Sequence, residues 1–180
     1  RSTLFPYTTL FRSACAITLA ESYLDRELDH GMLNAAVMDC PTPGRFDVLR
    51  SGPLLMVDAC HNPQSCENFV SALDEIDPDV SARPALLIAA LADKDVRGIV
   101  RVLLPAFPAI AVTRTASDRA LSVAELAALV REELAREGRE DVPVVEFPSV
   151  NAALSAYAST PLVAAGTITL AGEVARIVQG

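Results

Sequence analysis

The sequence predicts an α/β domain with a doubly wound, mostly parallel sheet over roughly residues 45–180. Three observations predict it: short apolar runs recur along the chain, stretches of about ten residues with helical periodicity separate them, and turn-forming residues lie between them. Strands of a buried parallel sheet have such continuous apolar sequences. Helical crossovers connect these strands and cover both faces of the sheet.

The predicted elements lie on both sides of a boundary at residues 40–44, where Cys-Pro-Thr-Pro-Gly stops any helix. The two prolines lack an amide donor, and the glycine permits a turn. Before this boundary, residues 14–28 and 32–38 have helical spacing. After it, Ser122 is expected to cap a helix, with Glu125 completing a capping box. Strands are predicted at 46–50, 54–59, 85–91, 110–113, 142–147 and 162–165, and helices at 63–76, 95–104, 123–136, 150–158 and 170–178.

Residues 1–13, RSTLFPYTTLFRS, are predicted to be a non-native segment. Their apolar residues follow neither a helical period nor a clean alternation, and Pro6 interrupts them. A signal peptide is the obvious alternative, but polar residues break up its apolar stretch. The segment resembles translated sequencing-adapter DNA, which implies that the natural protein begins further upstream.

Composition limits the classes of function. The chain has 180 residues, a net charge of −8 and a pI near 4.7, which argues against binding a nucleic-acid backbone. No stretch approaches the ~20 apolar residues that cross a bilayer, so no membrane partner is expected. The four cysteines lack zinc-ligand spacing. We interpret them as free, mostly buried thiols of a cytoplasmic protein, although two disulfides remain an alternative.

The most informative loop follows the predicted strand at 54–59 and contains Asp58, His61, Asn62 and Pro63. In doubly wound sheets, ligands bind beyond the carboxyl ends of the strands. A carboxylate at such a strand end can accept from ribose hydroxyls, and an imidazole can stack on a base or donate to phosphate. Asn62 suits a helix cap and Pro63 the first helical turn. The alternative is that Asp58 and His61 only order the loop.

Two further loops and one arginine are weaker candidates. Lys94 lies between two carboxylates after the strand at 85–91, where a solvated turn is the alternative, with Asp95 capping the next helix. Gly166-Thr167, followed by Gly172-Glu173, is by itself no more than a turn signal. Arg45 follows Pro-Gly at the boundary between the two segments, where an isolated arginine is usually a surface residue.

Several chemistries have no motif in this sequence. It contains no GxxxxGK[ST] phosphate loop and no GxGxxG dinucleotide fingerprint. A GxSxG nucleophile elbow is missing, and only two histidines are available for a serine-type triad. The acidic DxDxDG calcium loop is missing as well. The chain alone is therefore not expected to hold a nucleotide in a phosphate loop of its own.

Taken together, the loops are more specific than any one of them. In order along the chain, four segments resemble the carboxyl-terminal domain of the folylpolyglutamate synthase/dihydrofolate synthase family of Mur ligases: PTPGRFDVL, PLLMVDACHNPQS, LIAALADKDVRGIVRVLLP and VAAGTITLAGEVARIV. Residues 113–120 also resemble the stretch after that family's fourth strand. The resemblance covers about residues 14–180 and implies a Rossmann-like domain at 45–180, with 14–44 similar to the end of a central ATP-binding domain and its hinge.

The resemblance implies an ATP-dependent ligase that joins L-glutamate to a folate carboxylate through an acyl phosphate. It implies ATP and Mg²⁺, with the metal ligands and most phosphate contacts on the preceding domain. The full-length protein is then expected to be a monomer, and this chain alone is expected to be inactive. A Mur-type peptidoglycan-precursor ligase domain and a non-catalytic stand-alone α/β binding module remain the alternatives.

The resemblance also assigns site residues. Arg45 is expected to reach the ATP phosphates and to act in catalysis, because a fixed guanidinium stabilises the charge that moves in phosphoryl transfer. Asp58 is expected to bond the ribose hydroxyls and His61 to lie against the adenine or its sugar, while Asn62 orders this ATP-binding loop. No metal ligand is assigned.

Lys94 and Thr167 are the residues that the resemblance assigns to glutamate binding. Lys94 is expected to bind a glutamate carboxylate or to position the acyl phosphate, with Thr167 beside it. The sequence departs from the family at Ala59, where glycine is usual, so this loop must adopt an ordinary backbone conformation. Cys60 replaces alanine and is expected to point inward, and Thr167 replaces serine while keeping the hydroxyl.

Overall fold

The structure, a computed structural model, describes residues 7–38 and 42–180. The chain divides into two compact units, residues 1–43 and 44–180. The first unit contains two helices, α1 (Tyr7–Leu24) and α2 (His30–Met38). No helix in the described ranges is long and apolar enough to cross a membrane.

The first helix differs from the sequence prediction at both ends. The sequence predicts a helix that begins at residue 14, whereas α1 begins at Tyr7 and runs through residue 13 without a break. That residues 1–13 are non-native stays a prediction. Extending a formed helix adds one hydrogen bond per ordered residue, so a clear amphipathic pattern is not needed. The helix also ends earlier than expected, at Leu24, where Asp25 has a left-handed φ of 52°. Leu28 therefore lies outside α1.

The second unit is built on a six-stranded sheet of order β1-β2-β6-β3-β4-β5. Strand β1 pairs antiparallel with β2, and all the other neighbours pair in parallel. This arrangement confirms the predicted mostly parallel sheet. The strands are β1 (Asp47–Ser51), β2 (Leu54–Val57), β3 (Ala85–Ile88), β4 (Ile110–Val112), β5 (Val144–Glu146) and β6 (Leu162–Ala165).

Helices cover the sheet on both faces, as the continuous apolar strands predict. They are α3 (Pro63–Ile76), α4 (Val96–Leu103), α5 (Val123–Arg136), α6 (Val150–Ala156) and α7 (Ile168–Gln179), with 3₁₀ turns at Val80–Ala82 and Leu104–Ala106. One core lies between the sheet and α3, α4 and α5, and includes Leu86 and Ile88. The other core lies under α6 and α7 and includes Leu87. The alternation along β3 follows from the two-residue period of a strand.

Local signals predicted the helix starts well and the strand ends less well. Helix α3 and strand β6 have the predicted bounds, and the capping box of Ser122 and Glu125 is confirmed. Several strands are shorter than expected: β3 ends at Ile88, and Leu91 pairs instead with Ala120 in an isolated antiparallel bridge. Beyond Ile88, the chain bonds to the loop before α5, where the Ala92 amide donates to the Arg119 carbonyl oxygen at 2.8 Å.

The cysteine prediction is confirmed in part. Cys60 and Cys66 are free and buried, and Cys60 points inward as expected. Cys15 is free but exposed, because α1 buries little of its surface within its own unit. Cys40 lies outside the described residues, as does Pro41 of the predicted boundary motif.

Candidate functional site

The sequence-predicted residues of the second unit lie at one edge of the sheet. Asp58 follows β2, Thr167 follows β6 and Lys94 follows β3, and these three strands are neighbours in parallel. Neighbouring strands are about 4.8 Å apart, so the three loops begin side by side. The edge is the carboxyl end of the parallel strands, where doubly wound sheets bind ligands.

Arg45 and Asp58 form the clearest charged pair at this edge. Arg45 Nη1 is 3.6 Å from Asp58 Oδ1, and the Arg45 side chain is 49% exposed while that of Asp58 is 5% exposed. The Asp58 carboxylate also accepts hydrogen bonds from the amides of Phe46 at 3.1 Å and Cys60 at 2.8 Å. A buried, fixed anion therefore holds one side of an arginine whose other side faces outward.

Burial is the main influence on the titration of Asp58. Loss of water around the carboxylate raises the pKa of Asp58 above its ordinary value of 3.8, while the two amide donors and Arg45 act in the opposite direction. The backbone donors and the guanidinium favour the charged form, so they compensate part of the desolvation that burial imposes.

The turn that carries Arg45 has an unusual backbone. Gly44 has φ 69°, which glycine adopts readily, but Phe46 has φ 45°, which is strained for an aromatic residue. The Phe46 ring lies 5.0 Å from that of Phe69, centroid to centroid, so core packing holds the strained residue in place. Nothing in the sequence marks a left-handed phenylalanine, so Phe46 was not predicted to take part in the site.

Both the ring and the backbone amide of His61 form hydrogen bonds. The ring atom Nδ1 is 3.0 Å from the carbonyl oxygen of Ala59. Because a carbonyl oxygen can only accept, the neutral ring carries its proton on Nδ1 and leaves Nε2 as an acceptor. Ala59 itself needs no left-handed backbone: among the described residues other than glycine, only Asp25 and Phe46 have positive φ.

Asn62 caps α3, as predicted, through a reciprocal arrangement with Ser65. The Asn62 Oδ1 atom accepts from the Ser65 amide at 2.9 Å, and Ser65 Oγ accepts from the Asn62 amide at 3.1 Å. Ser65 Oγ also accepts from the His61 amide at 3.0 Å. Ser65 was not among the predicted residues, although its position three residues after Asn62 is the spacing of a capping box.

Lys94 lies in a charged loop after β3. Its Nζ is 3.8 Å from Asp93 Oδ2, and Arg119 Nη1 approaches the same carboxylate oxygen at 3.1 Å. Asp95 caps α4 by accepting from the Gly98 amide at 2.9 Å, as predicted. Arg119 comes from a different loop and was not among the predicted site residues.

The loops of His61 and Lys94 come together where α3 and α4 begin. A Cβ atom at Gly98 would lie 2.6 Å from Pro63 Cγ and 2.4 Å from Asp95 Oδ2. Only glycine allows this approach, because both distances are shorter than van der Waals contact. The starts of the two helices therefore fix the His61 and Lys94 loops against each other.

Thr167 is the most deeply buried of the predicted site residues. It is 2% exposed, and its hydroxyl lies 3.0 Å from that of Thr169 without capping α7. The preceding Gly166 has φ 112°, and a Cβ there would meet the carbonyl oxygen of Ala89 at 2.8 Å. The chain that leaves β6 thus lies close beside the chain that leaves β3, and a residue with a side chain does not fit at Gly166.

The site offers cationic and neutral groups more readily than metal ligands. In the part of the chain that the structure describes, no group of three or more histidine, cysteine or acidic side chains is placed to hold a metal ion. The outward-facing groups that suit an anion are Arg45 and Lys94, which are 49% and 38% exposed. The structure brings Arg45, Asp58 and His61 together around one turn and one loop, and places Lys94 and Thr167 on the adjoining loops.

Comparisons with known proteins agree with this fold. The dihydrofolate synthase/folylpolyglutamate synthase of Mycobacterium tuberculosis is 36% identical over 103 residues, which are 57% of this chain and 20% of that protein. The solved structure of the M. tuberculosis folylpolyglutamate synthase complexed with ADP is similar, with a TM-score of 0.75 and 26% identity over 89% of this chain and 37% of that one. The folylpolyglutamate synthase of Thermotoga maritima has the same fold, with a TM-score of 0.76 and 22% identity over 98% of this chain and 40% of that one.

The chain therefore spans well under half the length of these relatives. The family described as "Mur ligase, glutamate ligase domain" matches residues 44–173, which is most of the chain and nearly all of the second unit. This chain belongs to the Mur ligase family, and the six-stranded unit with its loops at the carboxyl edge is the part that carries the family's glutamate ligase domain.

Proposed function

We propose that this chain is the carboxyl-terminal part of an ATP-dependent ligase that adds L-glutamate to folates in the cytoplasm, acting as a monomer. The single observation that carries the proposal is the pairing of an outward-facing Arg45 with the buried carboxylate of Asp58 at the carboxyl edge of the sheet. The curated and solved relatives named as folylpolyglutamate synthases support the substrate class, and one of them is complexed with ADP.

The residues at the edge fit a nucleotide in their chemistry. Arg45 presents a half-exposed guanidinium, whose fork of donors matches phosphate oxygens. His61 presents Nε2 as an acceptor, which suits a ribose hydroxyl or an adenine amino group. Asp58 is nearly buried and already accepts two backbone hydrogen bonds, so in this proposal it acts first by holding Arg45 and its turn. Contact with the ribose uses the lone pairs that remain.

ATP supplies the phosphoryl group that activates the folate carboxylate for attack by the amine of glutamate. Arg45 neutralises charge on the phosphate oxygens during that transfer, and it does so from a preorganised position. Lys94 provides the cation for a carboxylate of the incoming glutamate, and the Thr167 hydroxyl lies on the neighbouring loop. Asn62 acts through its cap, which fixes the loop that carries His61.

Among the described residues, no group of three or more histidine, cysteine or acidic side chains lies together, and no Mg²⁺ ligand is assigned to them here. In this proposal the metal ion and most phosphate contacts belong to other parts of the ligase. No step assigned to Arg45, His61 or Lys94 depends on a metal held by this chain.

The test is an assay of the product of the complete reading frame. With ATP, Mg²⁺, L-glutamate and tetrahydrofolate, we expect ADP release that requires both the folate and L-glutamate, together with a folate heavier by one glutamyl residue in the mass spectrum. D-Glutamate and a UDP-muramoyl peptide acceptor are the matched controls. Turnover only with the muramoyl acceptor would assign the chain to a peptidoglycan-precursor ligase, and no ADP release with any acceptor would favour a non-catalytic binding module.

A further inference from the structure

The loop between β4 and α5, residues 113–121, crosses the carboxyl edge of the sheet and is bonded to the chain after β3. The Ala92 amide donates to the Arg119 carbonyl oxygen at 2.8 Å. The Leu121 amide donates to the Ala90 carbonyl oxygen at 3.0 Å. These bonds fix the second half of the loop, and a hydrogen bond from the Thr113 amide to the Ile88 carbonyl oxygen at 3.0 Å fixes its start.

The middle of the loop, at Ala116, is held by one side chain of α7. The Ala116 amide donates to Glu173 Oε2 at 2.9 Å, across 57 positions of the sequence. Among the described residues, this is the only side-chain hydrogen bond that joins α7 to another element. The neighbouring Thr115 is 2% exposed, and its hydroxyl has no partner. Burying an unpartnered hydroxyl is unfavourable, so this stretch depends on its external bonds to keep its position.

The loop 113–121 carries a charged residue, Arg119, that lies near the Lys94 loop. Its Arg119 approaches Asp93 Oδ2 at 3.1 Å, and the Lys94 ammonium lies 3.8 Å from that same oxygen. Arg119 therefore shares the carboxylate that would otherwise pair with Lys94 alone. At the other end of the link, Glu173 belongs to the helix that begins directly after Thr167. The two residues proposed to bind glutamate are thus connected through the Glu173–Ala116 hydrogen bond.

We propose that Glu173 is a positioning residue for the glutamate site, and this inference rests on the function proposed above. It holds the loop 113–121 against α7, so that Arg119 engages Asp93 and Lys94 keeps its place relative to Thr167. Glu173 acts by placing an acceptor oxygen within hydrogen-bond distance of the Ala116 amide, and this role does not need its negative charge. It is not a catalytic residue, because its carboxylate is already used by the backbone of the loop.

The experiment distinguishes the effect of side-chain length at Glu173 from the effect of its charge, in the ligase made from the complete reading frame. Glu173→Gln keeps an acceptor oxygen at the same distance and loses the charge, whereas Glu173→Asp keeps the charge and shortens the side chain by one methylene. Glu173→Ala removes the acceptor altogether, in case the aspartate variant adjusts. Arg176→Ala, an exposed change on the same helix, is the matched control. KM for L-glutamate, KM for ATP and the hydrogen exchange rate of the Ala116 amide are measured for each variant.

We expect the Asp and Ala variants to raise KM for L-glutamate by about fivefold or more and to speed exchange at Ala116 by a similar factor, with KM for ATP nearly unchanged. The Gln and Arg176 variants should match the parent protein. A Gln variant as impaired as the Asp variant, or an Ala variant with an unchanged KM for L-glutamate, overturns the inference while the ligase function stands. A parent protein without glutamate-dependent turnover overturns the proposed function, and the inference with it.

Discussion

The guanidinium of Arg45 lies 3.6 Å from the carboxylate of Asp58, which accepts hydrogen bonds from two backbone amides. One of those amides belongs to Phe46, the strained residue directly after Arg45. The turn and the loop after β2 therefore stabilise each other. The Asp58 carboxylate accepts from the Phe46 amide and so orders the turn, and the ordered turn places the Arg45 guanidinium beside that carboxylate. Such preorganisation is what allows a charged side chain to stabilise a transition state without first rearranging.

Replacing Arg45 tests this arrangement directly. In the complete ligase, Arg45→Ala should lower kcat well over tenfold, because loss of a transition-state donor typically removes ~3–4 kcal/mol of stabilisation. The kcat of Arg45→Lys should lie between those of the parent and of Arg45→Ala, since lysine keeps the charge but loses the forked donors. Arg131→Ala is the control, because it removes an exposed arginine that pairs with Glu146 at the far edge strand. Steady-state turnover at saturating substrates is the measurement, and unchanged turnover in Arg45→Ala would remove Arg45 from the site.

The raised pKa of Asp58 predicts a pH dependence of stability. Because the folded protein binds this proton more tightly than the unfolded chain does, protonated Asp58 favours folding at and below its ordinary pKa of 3.8, and this contribution disappears as the pH rises through the folded pKa. Asp58→Asn cannot titrate. The free energy of unfolding of the parent minus that of the variant should therefore decrease as the pH rises from about 4 to 7 in urea titrations.

Glu67→Gln is the control for the pH experiment, since Glu67 is an exposed carboxylate on α3. The difference between the parent and Glu67→Gln, measured over the same pH range, is the reference for the Asp58 difference. A parent-minus-Asp58→Asn difference that grows with pH would mean that Arg45 and the two amides outweigh the loss of hydration, and that the folded pKa is lowered instead.

Local sequence determined what could be predicted of this site. The spacing of Asn62, Pro63 and the following helix is a signal within one turn, so the cap and the start of α3 were predictable. The same holds for Asp95 at α4. Parallel strands bring their carboxyl ends to one edge whatever their order, so the gathering of Asp58, Lys94 and Thr167 followed from the fold class.

Long-range geometry accounts for what could not be predicted. The left-handed backbone of Phe46 depends on packing against Phe69, 23 positions away, and sequence spacing does not encode it. The bond between Ala116 and Glu173 depends on which helix lies beneath which loop. Strand ends were overestimated for the same reason, since the apolar run after Ile88 pairs with another loop and not with a strand.

Lys94 is expected to act on the amino-acid substrate. In the complete ligase, Lys94→Ala should chiefly raise KM for L-glutamate, because the substrate carboxylate loses its cation, while KM for ATP changes little. Lys94→Arg retains the charge and should recover most of the affinity. Initial rates at varied L-glutamate and varied ATP give both constants. An effect confined to KM for ATP would assign this loop to the nucleotide instead.

Gly166 and Gly172 offer a matched pair for testing how closely the chain that leaves β6 approaches the chain that leaves β3. Gly166 has φ 112°, and an added Cβ would meet the carbonyl oxygen of Ala89 at 2.8 Å, whereas an added Cβ at Gly172 meets nothing within 4 Å. Gly166→Ala should therefore lower the free energy of unfolding by roughly 1–3 kcal/mol from backbone strain alone, and further from the collision.

The second substitution should have the opposite sign. Gly172 lies inside α7, where alanine is favoured over glycine by about 0.5–1 kcal/mol, so Gly172→Ala should stabilise the chain. Urea unfolding followed by circular dichroism measures both variants against the parent under one condition. Equal effects at the two positions would contradict the geometry, because they would mean that Gly166 does not approach the Ala89 carbonyl oxygen at the distance described.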